Sequence, residues 1–223
     1  MPTDSAEVLR RITPTVPAAL AGRAESWSPG APMAEAAAAA SVVLLRESAG
    51  ALETYLLHRH ARMAFAASMV VFPGGRMDQV DRDAADPWRA CAVRETAEET
   101  GVVLAPTDLC DWAEWTTPEL EPRRYRTRFF VAALPVGHEA ADISGETDRA
   151  EWSTPDAALA AARDGTIALL PPTLSILVEL AELASLAAVF AAAQGRIVTP
   201  ILPTLVRTRD GWRFHYPEPG DGL

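Results

Sequence analysis

The chain has 223 residues, 49% of them hydrophobic, and a formal net charge of −10. This length suits one domain with additions and can bury a substantial core, while the acidic balance argues against nucleic-acid backbone binding, which calls for a basic patch. Two cysteines, Cys91 and Cys110, are too few for a disulfide framework, and the first residues do not form a basic, apolar, cleavable leader, so a reduced, cytoplasmic protein is expected.

Residues 1–35 mix Pro, Ser and Gly with one helix-compatible piece, Ser5 to Ile12, and read as an extension that packs on the core or on a second subunit. Residues 36–223 read as a single domain. Alanines 36 to 40 would pass for helix on propensity, but Ser41-Val42-Val43-Leu44-Leu45-Arg46 favours a strand, which makes the alanines its lead-in. Glu47-Ser48-Ala49-Gly50 supplies a turn and Glu53 to His60 a second strand. His58 and His60 have no matching ligands elsewhere and read as ordinary strand or loop residues. A third strand-like run, Ser68 to Phe72, leads through Pro73 into Gly74-Gly75.

A helix is expected from Asp86-Pro87 to Gly101. Asp caps the first free amides and Pro fits the first helical position, while Gly suits the left-handed stop. On it, Glu95, Glu98 and Glu99 fall within an arc of roughly 100°, with Ala90, Val93 and Ala97 pointing the other way to pack on a sheet. Three carboxylates at a helix C-terminus repel one another and oppose the macrodipole. One reading is a solvated acidic face with Arg94 pairing Glu98. The other is a phosphate and metal site, since hard oxygens suit Mg²⁺ and a bare glycine backbone lets a carbonyl reach the ion.

Trp112 to Thr117 and Arg126 to Leu134 read as strands joined by the loop 118–122. On the second, Arg124, Arg126 and Arg128 share a face, either to hold phosphates with paired donors or as a solvated edge. Glu146 lies in a turn before the strand of Ala150-Glu151-Trp152, and Pro155 to Ala162 reads as a short helix. A long helix over 171–195 carries Leu174, Leu177, Leu180, Leu183 and Leu186 on one apolar face, which covers the sheet or makes a homodimer contact. Glu179 and Glu182 interrupt its apolar stretch, so an amphipathic helix is expected there and not a membrane span. Thr204 to Tyr216, centred on Asp210-Gly211, has the signature of a terminal hairpin.

The stretch from Gly75 to Val102 resembles the signature of the Nudix hydrolases, G-x5-E-x7-R-E-U-x-E-E-x-G-U with U apolar. Arg94 to Val102 match its second half, with Thr96 in place of the first apolar residue. In the first half, Asp81 stands where the signature has Glu, and twelve residues instead of seven separate it from Arg94. The resemblance implies an α/β/α sandwich around a mixed β-sheet, extended by the C-terminal helix and hairpin. It implies Mg²⁺ or Mn²⁺ held by Glu95, Glu99 and the Gly74 carbonyl, with Glu98 completing the cluster directly or through water. Arg94 would orient the cluster, and Glu98 or Glu146 would take a proton from the attacking water.

Phe72-Pro73-Gly74-Gly75 and Arg59 upstream of it look like part of the motif of the coenzyme A diphosphatase branch, with Ala64 and Ser68 replacing its second Arg and its Gly. Trp115-Thr116-Thr117-Pro118, Arg123 to Phe130, Glu151 to Pro155 and Leu169 to Leu174 are similar to the same branch. The implied substrate is a small nucleoside diphosphate linked to another group, with coenzyme A or an acyl derivative first and ADP-ribose or a nucleotide sugar as the alternative. Arg59 and Arg126 are the candidate substrate contacts. A Nudix domain that senses nucleotides without cleaving them is the non-enzymatic alternative.

Overall fold

The apolar run Val42-Val43-Leu44-Leu45 sits at the centre of the computed structural model, in which residues 8, 16, 18–27, 33–60, 68–145 and 147–216 are described. A helix, α1 (Ala18–Ser26), precedes β1 (Ala36–Ser48), β2 (Ala51–Arg59), β3 (Met69–Val71) and β4 (Gly74–Arg76). Next come α2 (Gln79–Arg82), α3 (Pro87–Thr100), β5 (Cys110–Thr116), β6 (Arg124–Ala133), β7 (Thr147–Ser153), α4 (Pro155–Arg163) and β8 (Ala168–Leu169). The chain continues through α5 (Pro171–Leu183), α6 (Leu186–Ala193), β9 (Pro200–Ile201), β10 (Thr204–Thr208) and β11 (Gly211–His215).

The sheet is mixed, in the order β8-β3-β2-β1-β6-β5-β9, with β4 added to β1 and β7 to β2. Alternate residues of β1 serve opposite faces: Val42 and Leu44 join Cys91 and Ala92 of α3 in one core, and Val43 and Leu45 join Ile176, Leu177 and Leu180 of α5 in the other. All four β1 residues are fully buried, as a central strand covered on both faces requires. The result is the expected α/β/α sandwich. The alanine run is part of β1 and not a lead-in to it, because the parallel ladder with β6 already begins at the Ala36–Arg124 pair.

The expected helix over 171–195 is two helices. α5 stops at Ala184, whose φ is +58°, and α6 restarts behind Ser185, whose side chain accepts from the Ala188 amide. The pair bends by 115°, which lets Val189 of α6 stay in the same core as Leu180. No single described helix is long and apolar enough to cross a membrane. The terminal hairpin forms as expected, from β10 and β11. Of the helix expected over Ser5 to Ile12, only Val8 lies within the described residues. α1 is tied to the rest by Arg23, which donates to Glu121 at 2.6 Å.

Candidate active site

Pro87 opens α3, the Asp86 side chain accepts from the Arg89 amide, and Gly101 closes the helix with φ +71°. The helix therefore starts and stops where the capping residues place it. Its rotation differs from the sequence reading: the buried positions are Cys91, Ala92, Thr96, Glu99 and Thr100, while Ala90, Val93 and Ala97 are only partly covered. Thr96 tolerates complete burial at an apolar position of the motif because its hydroxyl donates to the Ala92 carbonyl at 2.7 Å. Thr100 does the same to Thr96 at 2.6 Å.

With that rotation, Cys91, Glu95 and Glu99, spaced four apart, form a line along the glycine turn. Cys91 Sγ lies 3.6 Å from the Gly75 carbonyl oxygen, and a Cβ added at Gly75 would overlap the Glu95 carboxylate. The Gly74 amide donates to Glu99 Oε2 at 2.7 Å. In the β1–β4 ladder Ser41 faces Gly74, and the Val42 amide donates to the Pro73 carbonyl. Antiparallel alternation then turns the amide and carbonyl of Gly74 away from β1, the orientation a carbonyl ligand needs.

Arg94 and Glu98 form the neighbouring line. Arg94 grips Asp81 with two donors, Nε at 3.0 Å and Nη2 at 2.7 Å, and Nη2 also reaches the Arg76 carbonyl at 3.1 Å. Nη1 stands 2.9 Å from both Glu95 and Glu98. Asp81 is 2% exposed, and its second oxygen accepts from the Asp78 amide at 2.8 Å. The longer spacer of the motif, residues 82–93, takes in the end of α2, the turn 83–86 and the first half of α3. Asp81 therefore binds the arginine of the motif, and the insertion leaves that pairing in place.

Charge and burial act in opposite directions here. The hydrogen bond from Arg94 holds the Asp81 carboxyl below the usual carboxylate range, and the same bond raises the Arg94 guanidinium. Glu95 is pushed up by burial, a rise that Arg94 offsets only in part. The Cys91 thiol is pushed up to about 12 by burial, with Asp81 and Glu95 adding to it.

Among the described residues, no three His, Cys, Asp or Glu side chains converge on one point. Glu95 and Glu98 lean on Arg94, Glu99 is held by the Gly74 amide, and Glu98 is 59% exposed. The donors nevertheless fit a hard divalent cation in kind. They are carboxylate oxygens around a bare turn, and one of them, Glu95, is crowded by burial towards its neutral form, a strain that a cation relieves.

The remaining expected residues are distributed as follows. Glu146 lies outside the described residues. The loop leading to it is tied to the end of α3, where Ala141 and Ile143 amides donate to the Thr100 and Glu99 carbonyls at 3.1 and 3.2 Å. Arg59 ends β2 opposite Thr147, which follows Glu146 in the chain. His58 and His60 pair with Glu151 and Asp148 on β7. Arg124 turns out structural: it is 6% exposed and donates to the Thr117 and Ala34 carbonyls. Arg126 and Arg128 share Glu114, whose carboxylate receives their Nε groups at 2.6 and 2.8 Å. The sequence reading missed Glu114 and Trp88, over whose ring both guanidiniums sit. A carboxylate between two tryptophans in a buried strand, Trp112 to Trp115, was the available signal.

The mixed sheet between helices, the glycine turn and the acidic helix with its Arg94–Asp81 clamp are the arrangement expected of a Nudix fold. A family model described as NUDIX domain matches residues 36–171, and the chain belongs to the Nudix family. The Caenorhabditis elegans protein "Putative nudix hydrolase 7" is 25% identical over 206 residues, covering 76% of this chain and 68% of that protein. A NUDIX hydrolase from Alicyclobacillus acidocaldarius superposes with a TM-score of 0.63 at 24% identity, covering 73% of this chain and 97% of the other. The NUDIX domain of Shewanella oneidensis NrtR, solved with ADP ribose, gives 0.51 at 16% identity over 73% and 96% of the two chains. The protein is a Nudix hydrolase acting on diphosphate bonds, in a family that generally uses divalent metal ions.

Proposed function

We propose that this hydrolase cleaves the diphosphate of coenzyme A or an acyl-coenzyme A, releasing a phosphopantetheine and adenosine 3′,5′-bisphosphate. The observation that carries the hydrolytic part is the pair of side-chain lines on α3: Glu95 and Glu99 against the glycine turn, with Arg94 anchored to Asp81 beside them. Mg²⁺ or Mn²⁺ bound by Glu95, Glu99 and the Gly74 carbonyl would lower the pKa of water and neutralise charge on the diphosphate. Arg94 keeps the carboxylates oriented. Glu98, exposed at the helix surface, or Glu146 takes the proton as water oxygen bonds to phosphorus and the bridging oxygen leaves.

The coenzyme A preference is supported by the partial branch motif. Ser68 stands at its glycine position with φ +59°, a left-handed conformation that glycine adopts without cost and other residues seldom enter. Ser68 thus holds a conformation suited to the glycine it replaces. ADP-ribose or a nucleotide sugar is the second reading, favoured by the ADP ribose bound to the Shewanella domain and by the lost second arginine at Ala64.

A substrate panel assayed with Mg²⁺ by product chromatography separates the two. Cleavage of coenzyme A at a higher kcat/KM than ADP-ribose is expected, and the reverse order rejects the preference. Glu99→Gln should lower kcat/KM by about 100-fold or more, equivalent to ~2.7 kcal/mol. Wild-type turnover by that variant would overturn the assignment of the carboxylates.

A further inference from the structure

A cleft of about 320 Å³ lies over β5 and β6, not over the carboxylates of α3, with Glu114, Arg126, Arg128 and Arg196 among its lining residues. Glu114 is 2% exposed and takes only the Nε edge of each guanidinium. The arginine side chains are 48% and 36% exposed. Among the described residues their Nη ends make no hydrogen bond. Arg196, by contrast, is bound to Glu179 at 2.5 Å. Asp111, also in the wall, is paired with Arg89 at 2.5 Å, so two cations around buried Glu114 leave a surplus positive charge in a protein whose net charge is −10. Trp88 fixes the planes of both guanidiniums, whose centres lie 5.5 and 4.9 Å from its ring centroid. Burial alone would raise the Glu114 carboxyl, but the two arginines outweigh it and hold it below the usual range, so it stays charged and keeps its grip.

The strand register sets the position of this cleft relative to the glycine turn. Arg128 pairs with Ala40 of β1, and Ala40 pairs with Gly75 of β4, so Arg128 and Gly75 lie two strand spacings apart, roughly 10 Å. Trp88 and Glu95, seven positions apart on α3, are separated by a similar ~10 Å along the axis. That span exceeds a diphosphate. A substrate whose diphosphate lies at the Glu95–Glu99 line would reach Arg126 and Arg128 only with a second anionic group.

We infer that Arg126 and Arg128, set by Glu114 and Trp88, form a subsite for a phosphomonoester carried on the nucleoside side of the substrate. The guanidinium forks match phosphate oxygens with paired donors. Glu114 is a positioning residue: it touches the arginines and not the phosphate. The inference rests on the diphosphatase reading and deepens it, since the subsite favours a substrate bearing a ribose phosphate over ADP-ribose, which has none.

Calorimetric titration of the full chain with adenosine 3′,5′-bisphosphate and with AMP tests the subsite without turnover. The wild-type protein should bind the bisphosphate at least ~10-fold more tightly, a difference of about 1.4 kcal/mol. Arg128→Gln should bring the ratio close to one. Arg128→Lys, which keeps the charge but loses the fork, should fall between and serves if the first variant unfolds. Equal affinities in the wild type, or a ratio unchanged in a folded Arg128 variant, overturns the subsite. Absence of coenzyme A cleavage alongside the expected ratios would reject the proposed substrate while leaving the phosphomonoester subsite standing.

Discussion

Both faces of the sheet bury an apolar core, and they differ in the charged groups buried beside it. On the α3 face, three carboxylates, Asp81, Glu99 and Glu114, are 2%, 6% and 2% exposed, and each is gripped by a named donor: Arg94, the Gly74 amide, and the Arg126–Arg128 pair. On the opposite face, Ile176, Leu177, Leu180 and Val189 fill a core with no exposure at all, and among the described residues the buried Glu179–Arg196 pair is the charged exception. Apolar burial is non-directional, so it holds the sheet and helices together without aiming any group. The ion pairs add little net stability against well-packed hydrophobic residues, but they fix where each oxygen points. A diphosphatase needs that aim on one face only.

Removing an ion-pair partner should hurt most. Asp81→Ala leaves part of the Arg94 charge without its anchor and should cost ~3–5 kcal/mol in urea unfolding, and it should lower kcat/KM as well, because Glu95 and Glu98 lose their orientation. The folded Asp81 carboxyl lies below its ordinary value, chiefly through its bond to Arg94. Its stabilisation is therefore complete above the unfolded value of about 3.9 and is lost as pH falls through the lower folded one. Wild-type and variant stabilities should converge in strong acid; a constant gap down to the lowest pH would contradict the pairing.

Leu180→Ala, on the apolar face, should cost a comparable ~2–5 kcal/mol, while kcat/KM of the folded enzyme stays near wild type. If activity fell in step with stability, the division of labour between the two faces would fail. Thr96→Val should have the smallest effect, within ~1 kcal/mol by thermal melting, since it removes only a hydroxyl donor to the Ala92 carbonyl on the preceding turn and restores the apolar residue of the family pattern. A larger loss would mean that the bond to Ala92 supports the catalytic face.

Local chemistry was legible at the capped ends of α3 and in the apolar run of β1. Asp86-Pro87 and Gly101 mark both ends of α3, and the Val42 to Leu45 run marks a strand buried on both faces. The rotation of α3 was misread because Thr96 and Thr100 count as polar in a periodicity, although their hydroxyls satisfy themselves on the preceding turn. The break at Ala184 was hidden by the regular leucine spacing, with Ser185 as its one local cap signal.

The amino-acid order alone determined the acidic helix and the glycine turn before it, because capping, periodicity and turn chemistry act between near neighbours, while the sandwich followed from the resemblance of that stretch to the Nudix signature. The tertiary structure decided which charge meets which. Asp81 finds Arg94 through the fold of α2, and Glu114 finds Arg126 and Arg128 only once β5 and β6 have taken their register. Such pairings depend on relative placement across the sheet, and a one-residue slip of either strand would send those side chains to the opposite face.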